Sequence, residues 1–306
     1  MPNSQAKYLI TIAGPTAVGK TDLSIQLAKA LQTEIISADS RQIFRELSIG
    51  TAKPTEQELK EARHHFINSH SITEAYSAGD FERDALAVIN TLFQTHDFVV
   101  MTGGSGLYIK AVTEGLDALP APTEGLRQEL TEKLAQNGLS ALQEEIKKID
   151  PEFSATREIL NPQRVVRALE VFYTTGIPIS GYQQKDLQSR PFNQINIALD
   201  RDRGELYKRI NERMDLMLKQ GLVKEAKDVI ALRDCHALQT VGYKEVYGHL
   251  DGSYDEEEMI RLLKQNSRRY AKRQLTWFRH QGDFKWFEAT QLDEILTYIK
   301  KEAGLK

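Results

Sequence analysis

The stretch Gly14–Ser24, "GPTAVGKTDLS", decides the fold. It fits the pattern G-x-x-x-x-G-K-[ST]. It follows an apolar run from Lys7 to Ala13 and opens a segment, Thr21 to Leu31, with Leu23, Leu27 and Leu31 at helical spacing. A strand that breaks into a glycine turn and then a helix turns backbone N–H groups and the positive helix end toward an anion. Lys20 adds a point charge, and the Thr21 hydroxyl suits Mg²⁺. Gly14, Pro15, Thr16, Ala17, Val18, Gly19, Lys20 and Thr21 are therefore read as one cradle for a di- or triphosphate.

Working outward, "EIISADS" reads as a second buried strand whose C-terminal end is Asp39. "DFVVMTGGSGLY" reads as a strand from Asp97 to Thr102 that breaks into a second glycine turn, and "QINIALD" as a late strand ending at Asp200. Strands alternating with helices predict an α/β fold: a P-loop core with a mostly parallel sheet flanked by helices. Ligands on such sheets lie beyond the carboxyl ends of the strands. Gly14–Thr21, Asp39–Gln42 and Gly103–Gly106 are thus expected to share one crevice. Between the third and fourth of these strands the pattern changes to amphipathic segments, "EGLRQELTEKLAQNG" and "NPQRVVRALEVFYTTG". This predicts a helical domain over residues 116–190, inserted into a core made of 1–115 and 191–306.

Phosphate-transferring P-loop enzymes usually place an acid at the end of a later strand to hold the metal. Here that strand ends in Thr102, Gly103 and Gly104. The nearest carboxylate is Asp39, which is either a base or metal-positioning group facing the cradle or a helix-capping or turn residue.

Composition limits the partners. The chain has 306 residues, 41% hydrophobic and 27% charged, as expected of a soluble globular protein. A single cysteine, Cys235, excludes an intramolecular disulfide and a cysteine-rich metal site, and fits a reducing compartment. No apolar run approaches the ~20 residues that cross a bilayer, and "MPNSQAKYLITIAG" lacks a signal-peptide cleavage pattern. A cytoplasmic protein with no membrane contact is expected.

The net charge of −3 argues against coating nucleic acid with the whole surface, but the charge is uneven. From Arg261 to Lys285 there are eight Lys and Arg (261, 264, 268, 269, 272, 273, 279, 285) against one acid, Asp283, with Tyr270, Trp277 and Phe278 interleaved. This is either an RNA footprint or a solvated face over an aromatic core. "NPQRVVRALEVF" reads as a helix with Asn161 as N-cap and Pro162 at its first position. Val165, Leu169 and Phe172 fall on one face and Gln163, Arg164 and Arg167 on the other.

Six motifs stand in one order: "GPTAVGKTDLS", "ISADSRQIFRELSIGTAKP", "GGSGLYIKA", "NPQRVVRALEVF", "TVGYKEV" and "AKRQLTWFR". Together, from Ile10 to Arg279, they closely resemble the tRNA dimethylallyltransferases (tRNA isopentenyltransferases). The resemblance implies transfer of a dimethylallyl group from dimethylallyl diphosphate to the exocyclic N6 of the adenosine 3′-adjacent to the anticodon, with Mg²⁺ as cofactor. The cradle would then hold the leaving diphosphate. It further implies that Asp39 is the base, that Thr16, Lys20 and Arg213 meet the diphosphate, and that Thr21, with Asp39, places Mg²⁺. Asp39, Ser40, Arg41, Gln42 and Ser105 would meet the target base and its surroundings. Arg127, Gln163, Arg164, Val165, Val166 and Arg167 would meet the tRNA anticodon stem-loop, and a monomer is expected. The family more often has tyrosine at Phe44, Met-Asp at Leu47–Ser48 and threonine at Ser105, which leaves any contact made by residue 48 open.

Two other enzyme readings share the cradle, and a third reading is a non-catalytic RNA-binding protein that uses a nucleotide as a switch. An adenylate isopentenyltransferase would alkylate a free nucleotide and would have little use for the insertion or the basic C-terminal helix. A P-loop nucleotide kinase would leave both RNA-like surfaces unexplained.

Overall fold

The computed structural model describes residues 6–117, 119–120, 123–182 and 189–305. In chain order the elements are β1 (Tyr8–Ala13), α1 (Lys20–Ala30), β2 (Ile35–Ser37), α2 (Glu56–Glu61), β3 (His64–His65), α3 (Ala78–Leu92), β4 (Phe98–Gly103) and α4 (Gly106–Thr113). Then come α5 (Leu126–Ile149), α6 (Pro151–Ser154), α7 (Pro162–Thr175), β5 (Asn193–Asp200), α8 (Arg203–Gln220) and α9 (Leu222–Asp228). The chain ends with α10 (Tyr243–Leu250), α11 (Glu256–His280), β6 (Lys285–Glu288) and α12 (Leu292–Glu302).

The six strands form one sheet in the order β3-β2-β4-β1-β5-β6, and every pairing is parallel. Central strands of such a sheet are buried on both faces, which is why β1 is a nearly unbroken apolar run. Its alternate residues part to opposite sides. Ile10 and Ile12 pack with Leu23 and Leu27 of α1, Ile210 of α8 and Ile295 of α12. Leu9 and Ala13 pack with Phe81 and Ile89 of α3, Ile109 of α4 and Phe278 of α11. The strands not foreseen, β3 and β6, are two and four residues long and lie at the sheet edges, too short for a periodic signal.

A third cluster lies under the segment that follows Asp39. Ile43, Phe44 and Leu47 pack against Met217 of α8, Leu222 of α9, Tyr243 of α10 and Met259 of α11. The chain separates into two compact units, one of 1–114 and 189–306 and one of Gly115–Gln188. The second has its own core, in which Leu142 and Ile146 of α5 meet Phe153, Val165 and Leu169. Its helix α7 starts as the sequence suggests: Asn161 accepts the N–H groups of Gln163 and Arg164, and proline occupies the first turn. Among the described residues no helix is long and apolar enough to cross a membrane.

Candidate active site

Three chain segments meet at the C-terminal ends of β1, β2 and β4, and one pocket is lined by Lys20, Thr21, Asp39, Gln42, Thr102 and Gly103, with Ser24, Ser37, Pro54 and His64. The expected convergence of Gly14–Thr21 and Asp39–Gln42 with the start of the second glycine turn is therefore present. Ser105 joins it through its hydroxyl, which accepts the Ser40 N–H at 2.9 Å and donates to the Ser40 Oγ at 3.1 Å. Serine in place of threonine keeps that hydroxyl.

The cradle is shaped by cations on its outer side. Arg209 Nε donates to the Ala17 carbonyl at 2.9 Å, and Arg201 Nη2 donates to the Val18 carbonyl at 3.3 Å. Because a trans peptide places C=O and N–H on opposite sides, the N–H groups of Val18 and Gly19 point away from these arginines. Neither N–H forms a hydrogen bond among the described residues. Gly19, with φ 116°, is in the left-handed region that a side chain resists. The side chains of Ala17 and Val18 are buried in the core, so these residues offer an anion only their backbone. Pro15 is a correction to the expected ligand set: it has no N–H, and its carbonyl, like that of Gly14, accepts Lys20 Nζ, at 2.7 and 2.9 Å.

Lys20 is enclosed by this loop. Burial lowers its pKa to about 7 against the opposing pull of Asp39, and Arg213 lowers it further. Arg213 lies at the cradle, its Nη1 3.4 Å from Thr16 Oγ1. Burial and the neighbouring Arg209 hold its pKa below the usual arginine value. Arg209, one helical turn before Arg213, was not assigned from the sequence, although its i−4 spacing carried the signal. Gln274 of α11 was also missed. Its Oε1 accepts the Thr16 N–H and its Nε2 donates to the Gly104 carbonyl, both at 2.9 Å, tying the two glycine turns together. Nothing local in "KRQLT" signals that role.

Asp39 takes the turn role and also lines the pocket. One oxygen, Oδ1, accepts the backbone N–H groups of Arg41 at 2.9 Å and Gln42 at 3.3 Å, as a turn residue does. The other has no protein hydrogen bond among the described residues, and Asp39 faces the pocket. Arg41 beside it is desolvated, which lowers its pKa despite Asp39, Tyr270 and Tyr108. Burial raises Tyr270 and Tyr108 to about 12, so both remain neutral hydroxyls at physiological pH.

In the second unit, Arg127 and Arg167 both bind Glu170, whose side chain has no solvent exposure. Arg127 is bidentate, at 3.0 and 2.8 Å, and Arg167 Nη1 lies at 2.7 Å. Arg164 pairs with Glu158, and Gln163 is exposed. Val165 and Val166 correct the expected RNA contacts: they are 0% and 2% exposed and belong to the unit's core, so their side chains cannot reach a ligand.

On α11 several of the expected basic residues are already paired, Arg261 with Glu258, Lys264 with Asp215 and Arg279 with Asp200. Arg269, Lys272 and Arg273 are exposed and have no carboxylate partner among the described residues.

The model of the IPP transferase family matches residues 42–281. The chain belongs to that family. It is 53% identical over 294 residues to a protein named tRNA dimethylallyltransferase from Cytophaga hutchinsonii, covering 96% of this chain and 97% of that one. A protein of the same name from Christiangramia forsetii is 48% identical over 97% and 99% of the two chains. Among solved structures, the full-length tRNA isopentenylpyrophosphate transferase of Bacillus halodurans superposes with a TM-score of 0.72 at 39% identity, over 97% of each chain. A eukaryotic dimethylallyltransferase acting on tRNA gives 0.77 at 27% identity, over 97% of this chain and 78% of that one.

Proposed function

We propose that this chain is a tRNA dimethylallyltransferase, which moves the five-carbon allyl group of dimethylallyl diphosphate onto the exocyclic N6 of the adenosine 3′-adjacent to the anticodon. The observation that carries the reading is one pocket shared by Lys20, Thr21 and Asp39, with an Asp39 oxygen free of protein hydrogen bonds among the described residues and Thr102 where an acid would end the strand. A cradle without a water-activating acid suits a phosphate that departs rather than one that is transferred.

The allylic C–O bond breaks and its electron pair leaves with the diphosphate. The N6 lone pair forms the new C–N bond, and the N6 proton passes to Asp39. Negative charge grows on the diphosphate, where Lys20, the N–H groups of Val18 and Gly19, Thr16 and Arg213 meet it. Thr21 is the residue that would hold Mg²⁺, since the one free oxygen of Asp39 is the base and not a ligand. One hydroxyl fits an ion that takes its remaining ligands from substrate phosphate and water. When bound it would supply further neutralisation of the leaving group. Among the described residues no cluster of three or more His, Cys, Asp or Glu offers a metal cage.

A base in a folded anticodon loop must be turned out of its stack to reach such a pocket. We assign RNA phosphate contacts to Arg269, Lys272 and Arg273, and to Arg127, Gln163 and Arg164 of the second unit; Arg167 is the more enclosed guanidinium. The test is incubation with labelled dimethylallyl diphosphate, Mg²⁺ and either undermodified tRNA or AMP, beside a reaction with ATP. Label in tRNA is expected. Label only in AMP, or phosphate transfer from ATP, overturns the reading. Asp39→Ala should abolish alkylation while tRNA still binds in a gel-shift assay.

A further inference from the structure

The turn from Ser48 to Lys53 is held from outside the pocket by one carboxylate. Glu225 of α9 accepts the backbone N–H groups of Ser48 and Ile49 on one oxygen, both at 2.8 Å. Its other oxygen accepts the Gly50 N–H at 2.8 Å and the Tyr243 hydroxyl at 2.7 Å. Four donors on one carboxylate form a strong, directional clamp. The Ser48 contact is made by backbone, so the identity of that side chain does not decide it. Tyr243 is fully buried, and a Cβ added to Gly50 would lie 2.6 Å from its ring, so the turn has one seat.

The far side of the same turn holds Gln42. Its Nε2 donates to the carbonyls of Thr51 at 3.2 Å and Ala52 at 3.1 Å. An amide end that faces two carbonyl oxygens must be the amino end, since oxygen there would be repelled. The Oε1 end is turned toward Ser37, whose hydroxyl donates to it at 3.3 Å, and both residues line the pocket. Hydrogen bonds from Ala52 N to Ile49 O (3.0 Å) and from Lys53 N to Ser48 O (3.2 Å) close the turn, so moving 48–50 moves 51–52.

We propose that Glu225 is a positioning residue: by clamping Ser48–Gly50 it sets which end of the Gln42 amide faces the pocket, and so makes that wall accept an exocyclic amine and reject a ring carbonyl. The inference rests on the reading of the pocket as the site of the target adenine. An adenine amine has two hydrogens; Gln42 Oε1 accepts one, and the second meets the Asp39 oxygen that takes the proton. A 6-keto base in the same place would set oxygen against oxygen. Without the clamp the Gln42 amide is free to turn over, and discrimination falls although neither pocket residue has changed.

The experiment uses anticodon stem-loop RNAs with adenine or hypoxanthine at the target position, competing for the intact enzyme while turnover of full tRNA is followed. Wild type is expected to bind the adenine RNA about tenfold more tightly. Glu225→Gln should bring that ratio to about twofold or less, lowering kcat without moving KM for the allylic diphosphate. Tyr243→Phe keeps the ring and removes one of the four donors, so it should give an intermediate ratio; it carries the test if Glu225→Gln does not fold. A wild-type ratio in the folded variants overturns the proposal while leaving the enzyme's activity intact. Wild-type protein that modifies no RNA overturns the proposed function, and this inference with it.

Discussion

Asp39 and Lys20 show how a single side chain carries two duties. Asp39 spends one oxygen on the turn that shapes residues 39–42 and keeps the other for the pocket. Lys20 is held at a pKa of about 7 by burial, so an entering diphosphate must raise it and draw in a proton. The affinity contributed by this lysine should therefore fall as pH rises above about 7, by up to about tenfold per unit. Calorimetric titration with inorganic diphosphate in buffers of different ionisation enthalpy should show proton uptake, and Lys20→Arg, which stays charged, should remove it. Equal uptake in both would assign the proton to another group. The same shift acts on stability with a defined sign. Between pH about 7 and the ordinary 10.5 the unfolded chain binds the extra proton, so Lys20 makes the unliganded fold gain stability as pH rises through that window.

At the scale of elements, the ends of β2 and β4 meet with no space to spare. Ser37 pairs with Thr102, and Ala38 N donates to the Thr102 carbonyl at 2.7 Å. A Cβ on Gly103 would lie 2.1 Å from the Ala38 carbonyl oxygen, a backbone atom that cannot swing aside. Gly103→Ala should cost about 3 kcal/mol in urea denaturation and open the pocket wall. Gly79→Ala, in the first turn of α3, meets only Ser77 Oγ at 3.7 Å and should be neutral or stabilising by about 0.5 kcal/mol. Equal losses in the two variants would refute the packing argument. The resemblance carried Arg213 of α8 to the site but not Arg209, which faces a carbonyl of the loop that follows β1, 192 residues away.

Each of the two units is organised around its own core. In the smaller unit, the buried Glu170 holds two guanidiniums at once. Burial alone would raise its pKa, but hydrogen bonds and charge from Arg127 and Arg167 prevail and leave it below the ordinary carboxylate value. It therefore contributes stability that is present above pH about 4.5 and is lost as pH falls through its lowered value. Glu170→Ala strands two cations beside a buried gap and should destabilise this unit by about 3 kcal/mol, measured by hydrogen exchange at α5 and α7. Unchanged protection there would mean the pairs contribute nothing.

The sequence by itself determined the parallel α/β core, the cradle and Asp39, because each depends on local pattern: apolar runs, a glycine turn at fixed spacing, a carboxylate at a strand end. It also determined the capping of α7, since Asn161 and Pro162 act within one turn. Only the tertiary structure decided that Val165 and Val166 face inward, that the Pro15 carbonyl accepts Lys20, and that Gln274 and Glu225 hold distant loops. Those outcomes depend on which surfaces meet after the chain folds back, over separations such as the 258 residues between Thr16 and Gln274, and no local periodicity encodes them.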